Sequence, residues 1–211
     1  MQELEKIHEH RLVPVVAIHN ADHAAPLADA LVAGGLPVAE VTFRTEAALQ
    51  AMQIMGKNPD ILLGAGTVLS VEQVKMAVDV GARYIVSPGF NEKVVDYCCK
   101  NNIAVTPGVA TPTEIEMALG HGLEVVKFFP AEAFGGLKSL KAISAPYTMM
   151  KFIPTGGISS TNLEEYLLFP KIWACGGSWM VKSDMIAAEK FDEIENLTNQ
   201  AVTIVKNILK K

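Results

Sequence analysis

Apolar residues along this chain fall into two alternating patterns. In the first, short runs are apolar at nearly every position and rich in Val and Ile: LVPVVAI (12–18), LPVAEVTF (36–43), ILLGAGTV (61–68), RYIVSPG (83–89), IAVTPGV (103–109), LEVVKFF (123–129), MKFIPTGG (150–157) and KIWACGGS (171–178). In the second, apolar residues recur at helical spacing, as in APLADALVAGG, SVEQVKMAVDVGA, NEKVVDYCCKNN and TPTEIEMALGHG. Several of these segments open on Ser, Asn or Thr, which cap helix N-termini, and close on Gly or Asn, which tolerate the left-handed turn that ends a helix. A run without polar alternation suits a strand covered on both faces, as in a parallel sheet flanked by helices. Eight such units, with no Pro/Ser-rich linker or charge block between them, predict one domain over residues 1–211. The expected fold is α/β, a single closed (β/α)8 barrel preceded by an N-terminal helix. At 211 residues the chain is shorter than the roughly 250 typical of that barrel, so its loops have to be short. An open doubly wound sheet is the alternative. No G-x-G-x-x-G opens the first unit, which weakens a dinucleotide-binding version of it.

Composition narrows the partners. The net charge is −5 and the basic residues are scattered, so there is no electrostatic footprint for nucleic acid and no basic amphipathic stretch for a membrane surface. Purely apolar runs fall far short of the roughly 18 residues that suggest a membrane span. The opening MQELEKIHEHRL is charged throughout and lacks the apolar core of a secretory signal, so a cytoplasmic location is expected. Cys98, Cys99 and Cys175 make neither a disulfide framework nor a C-x-x-C pair and read as reduced packing residues. With 50% hydrophobic and only 19% charged residues, the surface has room for a buried subunit interface.

Two charges interrupt the strand pattern, Glu40 in the second run and Lys127 in the sixth. An unpaired buried charge is costly, or shifts its pKa until it is neutral. One explanation is a structural salt bridge between the two across the barrel. The other is chemical: a desolvated lysine with a depressed pKa is a nucleophilic amine that forms a Schiff base with a carbonyl, and a carboxylate beside it moves protons. Function in a barrel collects at the C-terminal ends of the strands. The polar residues there are Glu40, Thr42, Arg44, Thr67, Ser87, Thr106, Thr111, Lys127, Thr155 and Ser178. Gly156 and Gly157 after the seventh run, and Gly176 and Gly177 with Ser178 after the eighth, stand where many barrels bind phosphate through backbone N–H groups. Arg44 offers a guanidinium fork that matches a substrate carboxylate. The histidines at 8, 10, 19, 23 and 121 do not cluster with carboxylates at the strand ends, so no metal site is expected; His19 reads as a polar residue on the pocket rim.

EVTFRT (40–45), GAGTV (64–68), SPG (87–89), KFFPAE (127–132), PTGGI (154–158) and GGSW (176–179) stand in the order and spacing of one family. The chain resembles, from about residue 12 onward, the aldolases of 2-dehydro-3-deoxy-6-phosphogluconate (KDPG), whose members often also cleave 4-hydroxy-2-oxoglutarate (KHG). The resemblance implies that Lys127 forms the Schiff base with the ketone of a 2-oxo acid and that Glu40, through a bound water, shuttles protons. It also implies that Thr67 makes a second carboxylate contact, with the GAG glycines letting backbone approach the ligand, and that Pro88, Thr111, Phe129 and Thr155 line the pocket. It further implies no cofactor, a homotrimer, and a place in Entner–Doudoroff carbohydrate breakdown. Phe134 departs from the gluconate type and resembles an aldolase for the galactonate epimer, which makes that epimer the alternative substrate, while PTGGI and GGSW favour the gluconate type. A non-covalent phosphosugar isomerase or epimerase, and an inactive phosphometabolite-binding protein, are the other readings; the presence of both Lys127 and Glu40 speaks against the last.

Overall fold

The computed structural model describes residues 2–210. Helix α1 (Gln2–His10) leads into β1 (Leu12–Val16), and strands and helices then alternate: α2 (Ala24–Ala33), β2 (Val38–Thr42), α3 (Ala48–Met55), β3 (Leu62–Gly66), α4 (Val71–Asp79), β4 (Tyr84–Ser87), α5 (Glu92–Lys100) and β5 (Ala104–Val109). The chain continues with α6 (Pro112–Gly120), β6 (Val125–Phe128), α7 (Gly136–Ser144), β7 (Lys151–Pro154), α8 (Leu163–Leu167), β8 (Cys175–Gly177), α9 (Ser183–Ala187) and α10 (Phe191–Leu209). Every strand lies inside one of the eight apolar runs. All neighbours pair in parallel in the order β7-β6-β5-β4-β3-β2-β1-β8, and a bridge between Thr155 and Gly176 brings β7 onto β8. The ring is therefore a (β/α)8 barrel and not an open sheet.

Turn chemistry explains how a short chain completes eight units. Ser70, Asn91 and Thr111 each accept a hydrogen bond from the backbone N–H three residues on, satisfying donors that the first helical turn leaves free. At the other ends, the same closure recurs: Leu36 N–H donates to Leu31 O, Ala82 to Ala77, Ile103 to Cys98 and Leu123 to Ala118. Each spans five residues around one left-handed residue, Gly35, Gly81, Asn102 or Gly122, and each turns the helix directly into the next strand. The fifth unit manages with asparagine, which reaches this conformation more easily than other residues with a side chain.

The N-terminal end of the barrel is closed by α1. Ile7, 1% exposed, lies against the inward-facing Val13, Tyr84 and Val86. On the outside of the same helix His8 stacks on Trp173 with ring centroids 3.9 Å apart. Among the described residues, no helix is long and apolar enough to cross a membrane.

Candidate active site

In an eight-strand ring, β2 and β6 are four places apart and so face each other across the lumen. Glu40 sits mid-strand in β2, in register with Val15 and Gly64; Lys127 sits in β6, in register with Gly108 and Ile153. Both point inward, and Lys127 Nζ reaches to 3.3 Å from Glu40 Oε1. Their side chains are 7% and 4% exposed, and Lys127 is the one buried lysine among the described residues. Lys127 Nζ also lies 5.1 Å from the centre of the Phe129 ring.

Small residues around the ring make room for this pair. A Cβ at Gly66 would overlap the Glu40 carboxylate, and one at Gly64 would overlap the Tyr84 ring. The GAG motif thus clears space for two large inward side chains, whereas the sequence reading had its backbone approaching a ligand. Tyr84 donates to Ala39 O at 3.0 Å; its burial, and then the charge of Glu40, push its phenol well above the ordinary value, so it stays protonated. Tyr84 and Thr106 join Glu40, Lys127 and Thr155 around an inner space of about 10 Å³, enough for a single water at most. Tyr84 went unremarked in the sequence because nothing in RYIVSPG marks a tyrosine as inward-facing; the signal was the glycine at its register partner, Gly64.

Above the pair lies a mouth cavity of about 130 Å³ lined by Val15, Arg44, Phe129, Thr155, Ile158, the two Gly-Gly pairs (Gly156, Gly157, Gly176, Gly177) and Ser178. Thr155 lines both spaces and so separates them. Gly176 leaves room for its hydroxyl, since a Cβ there would collide with Thr155 Oγ1. Arg44 Nε donates to Thr42 Oγ1 at 2.9 Å, and Thr42 donates in turn to Val16 O at 2.7 Å. That chain fixes the guanidinium plane and leaves its two terminal nitrogens for a ligand.

The loop after β7 is held by its carbonyls. Glu132 N–H donates to Gly156 O at 3.0 Å, and Asn162 Nδ2 donates to Gly157 O at 3.0 Å. In a trans peptide, the following N–H points the opposite way. The amides of Gly157 and Ile158 are therefore turned to the other side, where both residues line the mouth cavity. This is a ready anion site.

Three expected residues sit elsewhere. Thr67 is half-buried at the end of β3 with φ 56°, a conformation that strains a β-branched residue by on the order of 1–3 kcal/mol. The carbonyl of Pro88 packs against Gly108, the register partner of Lys127, where any Cβ would overlap it. Thr111 is exposed, and its hydroxyl is engaged in the capping box of α6 with Glu114. Reaching a substrate would require it to give up that cap. None of the three lines the inner space or the mouth. His19 is exposed on the bend after β1, and Phe134, 53% exposed, lies outside both cavities. Among the described residues no group of three or more His, Cys, Asp or Glu side chains is set to hold a metal ion.

The family model for "KDPG and KHG aldolase" matches residues 4–197. The chain belongs to the KDPG and KHG aldolase family. Its similarity to a 2-dehydro-3-deoxy-phosphogluconate aldolase of Haemophilus influenzae is 48% identity over 206 residues, 97% of each chain. A KHG/KDPG aldolase of Escherichia coli is 42% identical over 192 residues, 90% of each chain. Among solved structures, the KDPG aldolase of Legionella pneumophila with pyruvate captured as a covalent carbinolamine superposes with a TM-score of 0.91 at 40% identity, covering 95% of this chain and 98% of that one. As a member of this family the chain is an aldolase, a carbon–carbon lyase.

The role of Gly66 is open to a direct check. Gly66→Ala is expected to displace the Glu40 carboxylate and lower kcat about a hundredfold, the scale of a lost general acid–base. Far-UV circular dichroism of the variant should match the parent; unchanged kcat would show that Glu40 does not depend on this space.

Proposed function

We propose that this protein cleaves KDPG to pyruvate and glyceraldehyde 3-phosphate, and KHG to pyruvate and glyoxylate, through a Schiff base on Lys127. The observation that carries this reading is the Lys127 amine buried 3.3 Å from a carboxylate beneath a cavity that Arg44, Thr155 and Ser178 help to line. A carbinolamine needs an amine, and no other described lysine is buried. Stability alone is a weak reason for the pair, because a buried salt bridge often does no better than apolar residues of the same volume.

Lys127 Nζ attacks the C2 carbonyl, and the carbinolamine loses water to an iminium. Glu40 takes the C4 hydroxyl proton as the C3–C4 bond breaks, and the electron pair of that bond passes into the iminium to give an enamine. The aldehyde leaves, C3 is protonated, and hydrolysis frees pyruvate. Arg44 lines the same cavity as Thr155, where the substrate carboxylate would lie. Thr67 is proposed as a second contact from the β3 end, which gives its strained backbone a purpose. Gly156, Gly157, Gly176, Gly177 and Ser178 would take the phosphate, Phe129 would shape the wall above the amine, and Pro88 would act from behind it through its carbonyl against Gly108. Thr111 acts in this reading only through the α6 cap.

The gluconate epimer is favoured over the galactonate one because Phe134, the residue that raised the alternative, lies outside both cavities. We further infer one barrel domain and a cytoplasmic homotrimer, for which exposed Leu69, Met76 and Met117 supply apolar surface.

Incubation with pyruvate and borohydride should add the mass of one reduced pyruvate, located at Lys127 by peptide mapping. No adduct would favour the isomerase reading in which Lys127 is never covalent, and an adduct at another lysine would overturn the assignment of the Schiff base to Lys127. With purified enzyme, kcat/KM should rank KDPG above KHG and above the galactonate epimer; a preference for the epimer would reverse the substrate assignment. Sedimentation velocity should show a trimer, and a monomer would contradict that part.

A further inference from the structure

Glu132, the last residue of KFFPAE, is exposed and lines neither cavity, yet three features of the fold are arranged around it. Its N–H holds the Gly156 carbonyl, the bond that turns the Gly157 amide toward the mouth. Its aliphatic stem packs against Gly157, where φ is 84° and a Cβ would stand 2.5 Å from both Glu132 Cβ and Cγ. Its carboxylate Oε1 accepts a hydrogen bond from the Tyr166 hydroxyl. Tyr166, 1% exposed on α8, has its phenol pushed up by burial and by this bond, so it remains the donor. A second left-handed glycine, Gly136 at the start of α7, leaves the carboxylate its place: a Cβ there would lie 2.8 Å from Oε1 and 3.2 Å from the Tyr166 oxygen. One side chain thus ties the segment after β6 to the loop after β7 and to α8.

We propose that Glu132, anchored by Tyr166, is a positioning residue that aims the Gly157 amide and so sets the preference for phosphorylated over unphosphorylated 2-oxo acids. The inference rests on the phosphate assignment above. The strut touches the loop after β7 and makes no contact with Lys127, Glu40 or Arg44, so its loss should fall on the phosphate end of the substrate alone.

The test compares KDPG and KHG kinetics in Tyr166→Phe, Glu132→Ala and Glu132→Gln. Tyr166→Phe keeps the buried ring and removes only the donor. The KM for KDPG should rise about tenfold, the scale of one misdirected hydrogen bond to a charged group, with kcat for KHG and pyruvate trapping at Lys127 unchanged. Glu132→Ala, at an exposed position, should do the same if Tyr166→Phe proves unstable. Glu132→Gln keeps an acceptor for Tyr166 and should restore the KM. Inorganic phosphate should compete with KHG on the parent enzyme and about tenfold more weakly on Tyr166→Phe. Equal losses on both substrates, or no loss on either, would overturn the positioning role. If the parent enzyme neither prefers KDPG nor responds to phosphate, the phosphate assignment itself fails, a result visible before any variant is made.

Discussion

The contact between Lys127 and Glu40 spans the lumen of the barrel, and much of the interior is arranged to permit it. Two long charged side chains from opposite strands meet only if the ring closes at eight strands and if the residues between them are small. Gly66 makes way for the carboxylate, Gly64 for the tyrosine ring beneath it, and Gly108 for the Pro88 carbonyl beside the lysine. Inside a space with little water, a charge has few partners and each is strong, which is why the same arrangement that strains folding favours proton transfer. Ile7 of α1 and Tyr84 lie around the inner space with the amine, and Thr155 stands between that space and the mouth.

The division of labour above the pair follows from what each strand end can hold still. Arg44 is braced by Thr42 and through it by the β1 backbone. The amides of the loop after β7 are aimed by bonds to their carbonyl partners, with Glu132 and Asn162 as the braces. Side chains with many rotamers are fixed by hydrogen bonds and backbone donors by glycine turns, so neither loses much freedom when a ligand arrives.

The strands were legible because burial on both faces writes an uninterrupted apolar run, and the helices because their caps and closing Gly or Asn are local signals. Lys127 and Glu40 stood out for the same reason, as charges in runs that otherwise admit none. What stayed hidden depends on register. Nothing in GAGTV says that its glycines face Glu40 and Tyr84, since that is settled by pairing with two other strands, β2 before it and β4 after it. Thr111 shows the converse: a hydroxyl at a strand end carried a family role in the sequence, while its immediate neighbour in space, Glu114, holds it as a helix cap. Glu132 carries no signal of its own in KFFPAE, because its partner Tyr166 lies 34 residues away.

In the proposed reaction Lys127 supplies the covalent electron sink and Glu40 the proton traffic across a 3.3 Å gap. Exchange of the pyruvate methyl protons with deuterium oxide, followed by NMR, reads both at once, because it requires the Schiff base and then removal of a proton from C3. Rapid exchange is expected in the parent, none in Lys127→Met, and exchange slowed about a hundredfold in Glu40→Gln, with the borohydride-trapped adduct at least partly retained. Exchange in Glu40→Gln at the parent rate would contradict the account.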